Sequence, residues 1–286
     1  MITEREIFLT DPEEKAKVVE FLKGFDLTFT GIIDYTMGLF DDGKLIGTGS
    51  LGGRVMRDIA ISSDYQRKGL THRIIRNLQG ESNRRGINGN QIFTKPKNVP
   101  VFEHMGFKCV AVAEPYAALL ESGTDTLEDY LARVRTFLGS GEGKNRGAIV
   151  MNCNPFTLGH RYLVETAARA CDWLYVFVLS EEKSLFSAED RLRLVKEGTA
   201  DLSNVTVWPT GPYLISSATF PTYFLPDKSR TVEIQCRLDL EVFARHFAPP
   251  LFITRRDGGT EPFSQVTAQY NRVMKEYRPA MGIQVT

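Results

Sequence analysis

The sequence predicts an α/β protein of two domains: an α/β domain over residues 1–125, a connecting helix and linker over 126–146, and a parallel-sheet α/β domain over 147–286. Three observations lead there. The 286 residues exceed the ~100–200 of one domain. A Gly-rich polar run, Gly139-Ser140-Gly141-Glu142-Gly143-Lys144-Asn145, interrupts the chain near its middle. Beyond it, short uninterrupted apolar runs alternate with helical periodicities, the pattern of a parallel sheet covered on both faces.

Composition excludes several classes. Hydrophobic residues make up 42% and charged residues 24%, the balance of an ordinary globular chain. Thirty-five basic and thirty-five acidic side chains cancel, which argues against a broad nucleic-acid surface while leaving room for local phosphate pockets. The charged start Met1-Ile2-Thr3-Glu4-Arg5-Glu6 leads into no apolar signal core, and no run approaches the ~18 apolar residues of a membrane span, so a cytoplasmic protein is expected. Cys109, Cys153, Cys171 and Cys236 lack the paired spacing of a zinc site or a disulfide framework, so buried thiols and no protein-bound metal are expected.

In the first domain, Asp11-Pro12-Glu13-Glu14 combines a capping Asp, Pro at the first helical position and Glu three residues after the cap, ahead of Val18, Val19, Leu22 and Phe25. An Asp41-Asp42-Gly43 turn between apolar runs reads as a hairpin, followed by a strand at 56–61. Leu70, Ile74, Ile75 and Leu78 recur with helical spacing. A strand at 91–94, a short helix at 99–105 stopped by Gly106, and a final strand at 107–112 complete the domain. Leu127, Tyr130, Leu131, Val134 and Leu138 define the connecting helix. In the second domain, strands are expected at 148–151, 173–179, 205–208 and 251–254. Helices start at Gly159 and after the cap Ser187-Ala188-Glu189-Asp190, and a late one carries Val266, Tyr270, Val273, Met274 and Tyr277.

Two segments carry chemistry. Tyr65-Gln66-Arg67-Lys68-Gly69-Leu70-Thr71 lies between a strand and a helix, where successive backbone N–H groups can hold a pyrophosphate and Arg67, Lys68 and Arg73 add positive charge. Together with Lys97-Asn98-Val99-Pro100-Val101-Phe102-Glu103-His104-Met105-Gly106-Phe107, it resembles the GNAT superfamily of N-acetyltransferases over about residues 1–120. The resemblance implies a CoA-like ligand on Gln66, Arg67, Lys68, Gly69, Leu70, Thr71 and Asn98. Whether that ligand is acetyl-CoA or a related prosthetic arm, and whether the domain is catalytic or only binds, stays open.

The second segment, Asn152-Cys153-Asn154-Pro155-Phe156-Thr157-Leu158-Gly159-His160, leaves a strand end and opens a helix, the place where doubly wound sheets bind ligands. Gly159 lets the chain approach a triphosphate without a Cβ, the helix dipole favours its charge, and Thr157 and His160 offer a hydroxyl and an imidazole. The segment resembles the (His/Thr)-x-Gly-His motif of the Rossmann-like nucleotidylyltransferase superfamily, which cleaves nucleoside triphosphates between the α and β phosphates. The alternative is that His160 merely caps the helix.

Further segments narrow the resemblance: Ser184-Leu185-Phe186-Ser187-Ala188-Glu189-Asp190-Arg191, Gly198-Thr199, residues 211–225 from Gly211-Pro212 to Phe224-Leu225, and residues 261–271 from Glu261-Pro262 to Asn271. With the two-domain order, they resemble the citrate (pro-3S)-lyase ligase family over nearly the whole chain. That resemblance implies an ATP-dependent, AMP-forming acid–thiol ligase that acetylates the thiol of a phosphoribosyl-dephospho-CoA group on citrate lyase's acyl carrier subunit. Thr157 and His160 are the catalytic candidates. ATP-binding candidates are Asn152, Asn154, Pro155, Phe156, Gly159, Lys183, Arg191, Ser216 and Thr219, and Mg²⁺ is expected to accompany ATP. Two other readings are a nucleotidyltransferase making a cofactor-type product and a catalytically silent nucleotide- or carrier-binding protein. The superfamily's late Ser/Thr-rich motif ending in Arg has no match after Val266, so a domain lacking its C-terminal end is expected.

Overall fold

The structure is a computed structural model that describes residues 1–136, 145–180, 185–214, 220–259 and 265–285. The chain divides into two compact units, one formed by Met1–Thr126 with Pro221–Ser229 and the other by Leu127–Phe220 with Arg230–Thr286.

The first unit contains β1 (Ile2–Glu6), α1 (Pro12–Lys23), β2 (Tyr35–Asp41), β3 (Lys44–Gly52), β4 (Val55–Ile61), α2 (Leu70–Arg84), β5 (Gly89–Thr94), α3 (Val99–Glu103), β6 (Lys108–Ala113) and β7 (Ala117–Gly123). Asp11 caps α1 by accepting from the Glu13 and Glu14 backbone N–H groups. The β2–β3 hairpin turns at Asp42 and Gly43, both at positive φ (48° and 82°), the conformation that a two-residue hairpin loop requires. The seven strands run in the order β1-β2-β3-β4-β5-β7-β6, antiparallel except where β4 lies parallel to β5. That parallel pairing covers only Val55–Gln91 and Met56–Ile92 and then stops, although β4 continues to Ile61 and β5 to Thr94. Leu70, Ile74, Ile75 and Leu78 of α2 pack on Met37, Leu39, Ile46, Leu51 and Ile92, as the spacing predicts.

Two strands escape the sequence reading. β1 is a mostly exposed edge strand of charged residues, with no apolar alternation to reveal it. The expected final strand at 107–112 is followed by β7, whose Ala117-Ala118 start has weak strand propensity; its place between β5 and β6 makes it a strand.

The second unit contains α4 (Leu127–Thr136), β8 (Arg146–Met151), α5 (Leu158–Arg169), β9 (Trp173–Val178), α6 (Ala188–Gly198), β10 (Val205–Pro209), α7 (Thr231–Val242), a π-helical turn (Phe243–Phe247), α8 (Ala248–Leu251), β11 (Ile253–Asp257), α9 (Gln265–Met281) and β12 (Gln284–Val285). All strand pairs are parallel, in the order β10-β9-β8-β11-β12. After β8 the chain moves outward to β9 and β10, then returns to the other side of β8 with β11. The direction of winding therefore reverses beside β8, and such a reversal leaves a crevice at the strand's C-terminal end. Ile149, Met151, Val164, Ala167, Leu174, Val176, Val178 and Val195 fill the core around it.

α4 is part of this unit's packing: Tyr130 Oη donates to the Pro209 carbonyl at 2.7 Å, and its ring lies 5.7 Å from those of Tyr213 and Phe247. Burial pushes the Tyr130 phenol pKa up. The expected strand at 251–254 begins two residues later, because Leu251 ends α8 and Phe252 takes a left-handed turn at φ 55°. α7 escapes the sequence reading too: its apolar residues lie on nearly every face, so no single helical stripe marks it. Most of the Gly-rich linker lies outside the described residues. Cys153 and Cys236 are buried thiols outside any disulfide, whereas Cys109 and Cys171 are half-buried rather than fully enclosed.

Candidate active site

The segment that follows β8 is held from beneath by Arg191. This guanidinium is fully buried, and its Nη1 donates to the Asn152 carbonyl (2.9 Å), Asn152 Oδ1 (2.7 Å) and the Leu179 carbonyl (2.7 Å), while Nε donates to the Phe186 carbonyl (3.2 Å). It ties together the ends of β8 and β9 and the approach to α6. The sequence suggests Arg191 as a phosphate ligand; the structure places it beneath the segment, with no exposed surface. A buried guanidinium with three main-chain carbonyls and the Asn152 side-chain oxygen as partners fixes the course of this segment. Asn152 likewise spends its carbonyl and Oδ1 on Arg191. Asn154 Oδ1 accepts from the Phe186 N–H at 3.0 Å, joining the turn to the segment before α6, and the Asn154–Pro155 bond is cis.

At the start of α5, Thr157 and His160 form a reciprocal capping box. The Thr157 N–H donates to His160 Nδ1 at 3.1 Å, and Thr157 Oγ1 lies 2.8 Å from the same nitrogen. A backbone N–H only donates, so Nδ1 is the acceptor and the neutral ring carries its proton on Nε2. The imidazole stacks on Phe156, with ring centroids 6.0 Å apart and planes 21° apart. Phe156 packs against the core, and a Cβ on Gly198 would come within 2.5 Å of its ring. Gly198 therefore sets the depth of Phe156, and through it the plane on which His160 rests.

Gly159 differs. A Cβ there would meet only Thr157 Oγ1, at an ordinary 3.7 Å, and its φ is not left-handed. The fold itself places no demand for glycine at this position. Leu158 (88% exposed), Tyr162 (69%) and Leu185 (87%) stand out as large apolar groups in solvent. Arg161 anchors the far side of the first turn of α5: it donates to both Asp201 oxygens (2.6 and 2.7 Å), to Glu165 (2.7 Å) and to the Gly198 carbonyl. Hydrogen bonds from Arg161 hold the Asp201 carboxyl below its usual pKa.

In the first unit, the segment after β4 is shaped by two left-handed residues, Arg67 (φ 61°) and Gly69 (φ 72°), the latter at the start of α2. Gln66 Nε2 donates to the Ile61 carbonyl at 3.2 Å, and Lys68 Nζ sits 4.8 Å from the Tyr65 ring centre. Leu70 is buried and Thr71 half-buried. Asn98 Nδ2 donates to Thr94 Oγ1 at 2.9 Å, at the end of β5. Arg73, expected to add charge toward a ligand, is paired with Glu4 at 2.7 Å.

Residues 146–286 match the family model described as citrate lyase ligase C-terminal domain, and residues 30–118 match the acetyltransferase (GNAT) domain model. The citrate (pro-3S)-lyase ligase of Klebsiella pneumoniae is 36% identical over 282 residues, covering 99% of this chain and 82% of the relative. Its counterpart in Escherichia coli K12 is 36% identical over 266 residues, covering 93% of this chain and 75% of the relative. The chain belongs to the citrate lyase ligase family.

For this family member, the structure brings Asn152, Asn154, Pro155, Phe156, Thr157, Gly159 and His160 into one turn at the C-terminal end of β8. Lys183, Ser216 and Thr219 lie outside the described residues. Gln66 to Thr71 and Asn98 are all in the other unit. Among the described residues no three His, Cys, Asp or Glu side chains cluster to hold a metal, and no helix is long and apolar enough to cross a membrane. Two supporting residues escape the sequence reading. Gly198 figures there only as part of a resemblance, since nothing local says that an aromatic ring 42 positions earlier lies against it. Arg161 follows the motif directly, but its partner Asp201 is separated by 40 residues.

Proposed function

We propose that this chain activates acetate with ATP and transfers the acetyl group to the prosthetic-group thiol of the citrate lyase acyl carrier subunit. Acetate oxygen attacks the α-phosphorus of ATP, forming acetyl-adenylate and releasing pyrophosphate. The carrier thiol then attacks the acetyl carbonyl, forming the thioester and releasing AMP and the thiol proton. The proposed site of this reaction is the cytoplasm.

The observation that carries this reading is Gly159. It is free of any steric demand from its own fold and sits in an exposed first helical turn between Thr157 and His160, where a missing Cβ leaves room for a ligand to approach the main chain. His160, with its proton on Nε2, can donate to a phosphate oxygen while Nδ1 stays fixed by Thr157. The backbone N–H groups at the start of α5 and the helix dipole stabilise charge that builds as pyrophosphate leaves. Arg191 and Phe156 hold this turn in place and act through position. A divalent cation held by the triphosphate's own oxygens, Mg²⁺ by its preference for oxygen ligands, would supply neutralisation of charge on the leaving group.

In the first unit, Arg67, Lys68 and the turn at Gly69 are proposed to hold the phosphate end of the carrier's CoA-like arm, with Asn98 beside it. ATP–pyrophosphate exchange, measured with and without acetate for the native chain and His160→Ala, tests the central step. The reading requires acetate-dependent exchange that the substitution removes; exchange that ignores acetate refutes it.

A further inference from the structure

Residues 221–229 belong to the first unit although the chain on either side of them belongs to the second. Tyr223, Phe224 and Leu225 are buried there. The Tyr223 carbonyl accepts from Thr28 N–H (2.9 Å) and from Thr28 Oγ1 (3.4 Å), and its phenol donates to the Phe93 carbonyl at 2.6 Å. The Arg57 guanidinium lies 4.7 Å from the centre of the Tyr223 ring. Arg57 and Phe93 are the residues immediately after the last paired positions of β4 and β5. Tyr223 thus sits where these two parallel strands part, filling the gap between them.

The filling is imperfect. Arg57 Nε donates to Asp58 Oδ2 at 2.8 Å, but Arg57 Nη2 and Asp58 Oδ1 are both buried without a hydrogen-bond partner. Asp58 is also held at φ 54°, a strained left-handed conformation inside a strand. An unsatisfied donor and an unsatisfied acceptor on two hydrogen-bonded neighbouring residues match what an amide supplies, an oxygen for Nη2 and an N–H for Oδ1. Burial raises the Asp58 carboxyl to about 6, so the closed arrangement holds its charge at a cost.

The other end of the gap is marked by residues 66–71, which follow β4, and by Asn98, which follows β5. From Arg57 to Ile61 is four residues of strand, about 13 Å, a distance that a linear amide-bearing arm spans from a phosphate held at the start of α2. We propose that residues 221–225 are a strap closing the gap between β4 and β5, displaced when the carrier's CoA-like arm enters from residues 66–71. This rests on the proposed assignment of the arm to the first unit and adds its regulation.

Hydrogen exchange of the full chain, with and without millimolar dephospho-CoA, tests it. Displacement predicts slower exchange at 66–71 and at least tenfold faster exchange at 221–225. Tyr223→Phe, which loses only the bond to the Phe93 carbonyl, is expected to bind dephospho-CoA at least threefold more tightly. Slowing at 66–71 with 221–225 unchanged or also slowed overturns the strap and leaves the arm assignment standing. No slowing at 66–71 overturns both, while acetate-dependent ATP–pyrophosphate exchange independently judges the second unit. Unchanged or weaker binding by Tyr223→Phe also overturns the strap.

Discussion

Gly159→Ala separates a residue needed by the fold from one needed by a ligand. The new Cβ would meet a single atom of the protein, Thr157 Oγ1 at 3.7 Å, with no clash and no left-handed φ to strain. Ala is a better helix former than Gly, so α5 should gain about 0.5–1 kcal/mol. For a unit of this size that corresponds to a Tm rise of roughly 1–4 °C. The same methyl group intrudes on the surface proposed to receive the triphosphate. Moving a reacting group by about 1 Å costs on the order of 100-fold in rate. Thermal melts followed by circular dichroism, paired with acetate-dependent ATP–pyrophosphate exchange, should therefore move in opposite directions. A Gly159→Ala variant that exchanges pyrophosphate as fast as the native protein, at an equal or higher Tm, would refute the role given to this glycine.

Other substitutions probe the supports. Gly198→Ala places a Cβ 2.5 Å from the Phe156 ring, so the ring must retreat by about 1 Å; a stability loss of about 1–3 kcal/mol by denaturant titration and a fall in exchange of at least tenfold are expected. His160→Ala should lower exchange by about 10²–10³-fold, with about 1 kcal/mol of stability lost from the cap, and an exchange rate within threefold of native would count against it. Arg67→Ala combined with Lys68→Ala should weaken carrier acetylation while sparing acetate-dependent pyrophosphate release, and equal loss of both would remove the division of labour between the units. Burial holds the folded Asp58 carboxyl near 6, above its unfolded value, so its contribution to stability is fully present below about pH 4 and is lost as pH rises through 6. The loss is about 3 kcal/mol, seen as a pH-dependent difference in unfolding free energy between the native chain and Asp58→Asn; a difference that stays flat from pH 4 to 7 contradicts it.

Local pattern was enough wherever the determining contacts are close in the chain. The Asp11 cap, the Asp42-Gly43 hairpin, the apolar stripe of α2 and the strand–turn–helix around residues 148–160 were all legible, because each depends on neighbours a few residues away. The candidate residues from Asn152 to His160 could be named for the same reason: the chemistry of one helical turn is written in consecutive positions. Only the tertiary structure decided what those residues lean on. Arg191 reads in sequence as a candidate phosphate ligand, and that it is buried against oxygens from two strand ends and a loop is visible only in the fold. Gly198 acquires meaning only against Phe156, and Tyr223 only against Arg57 and Phe93. Close packing relates residues by distance in space, and no periodicity along the chain encodes which distant side chain will fill a given gap.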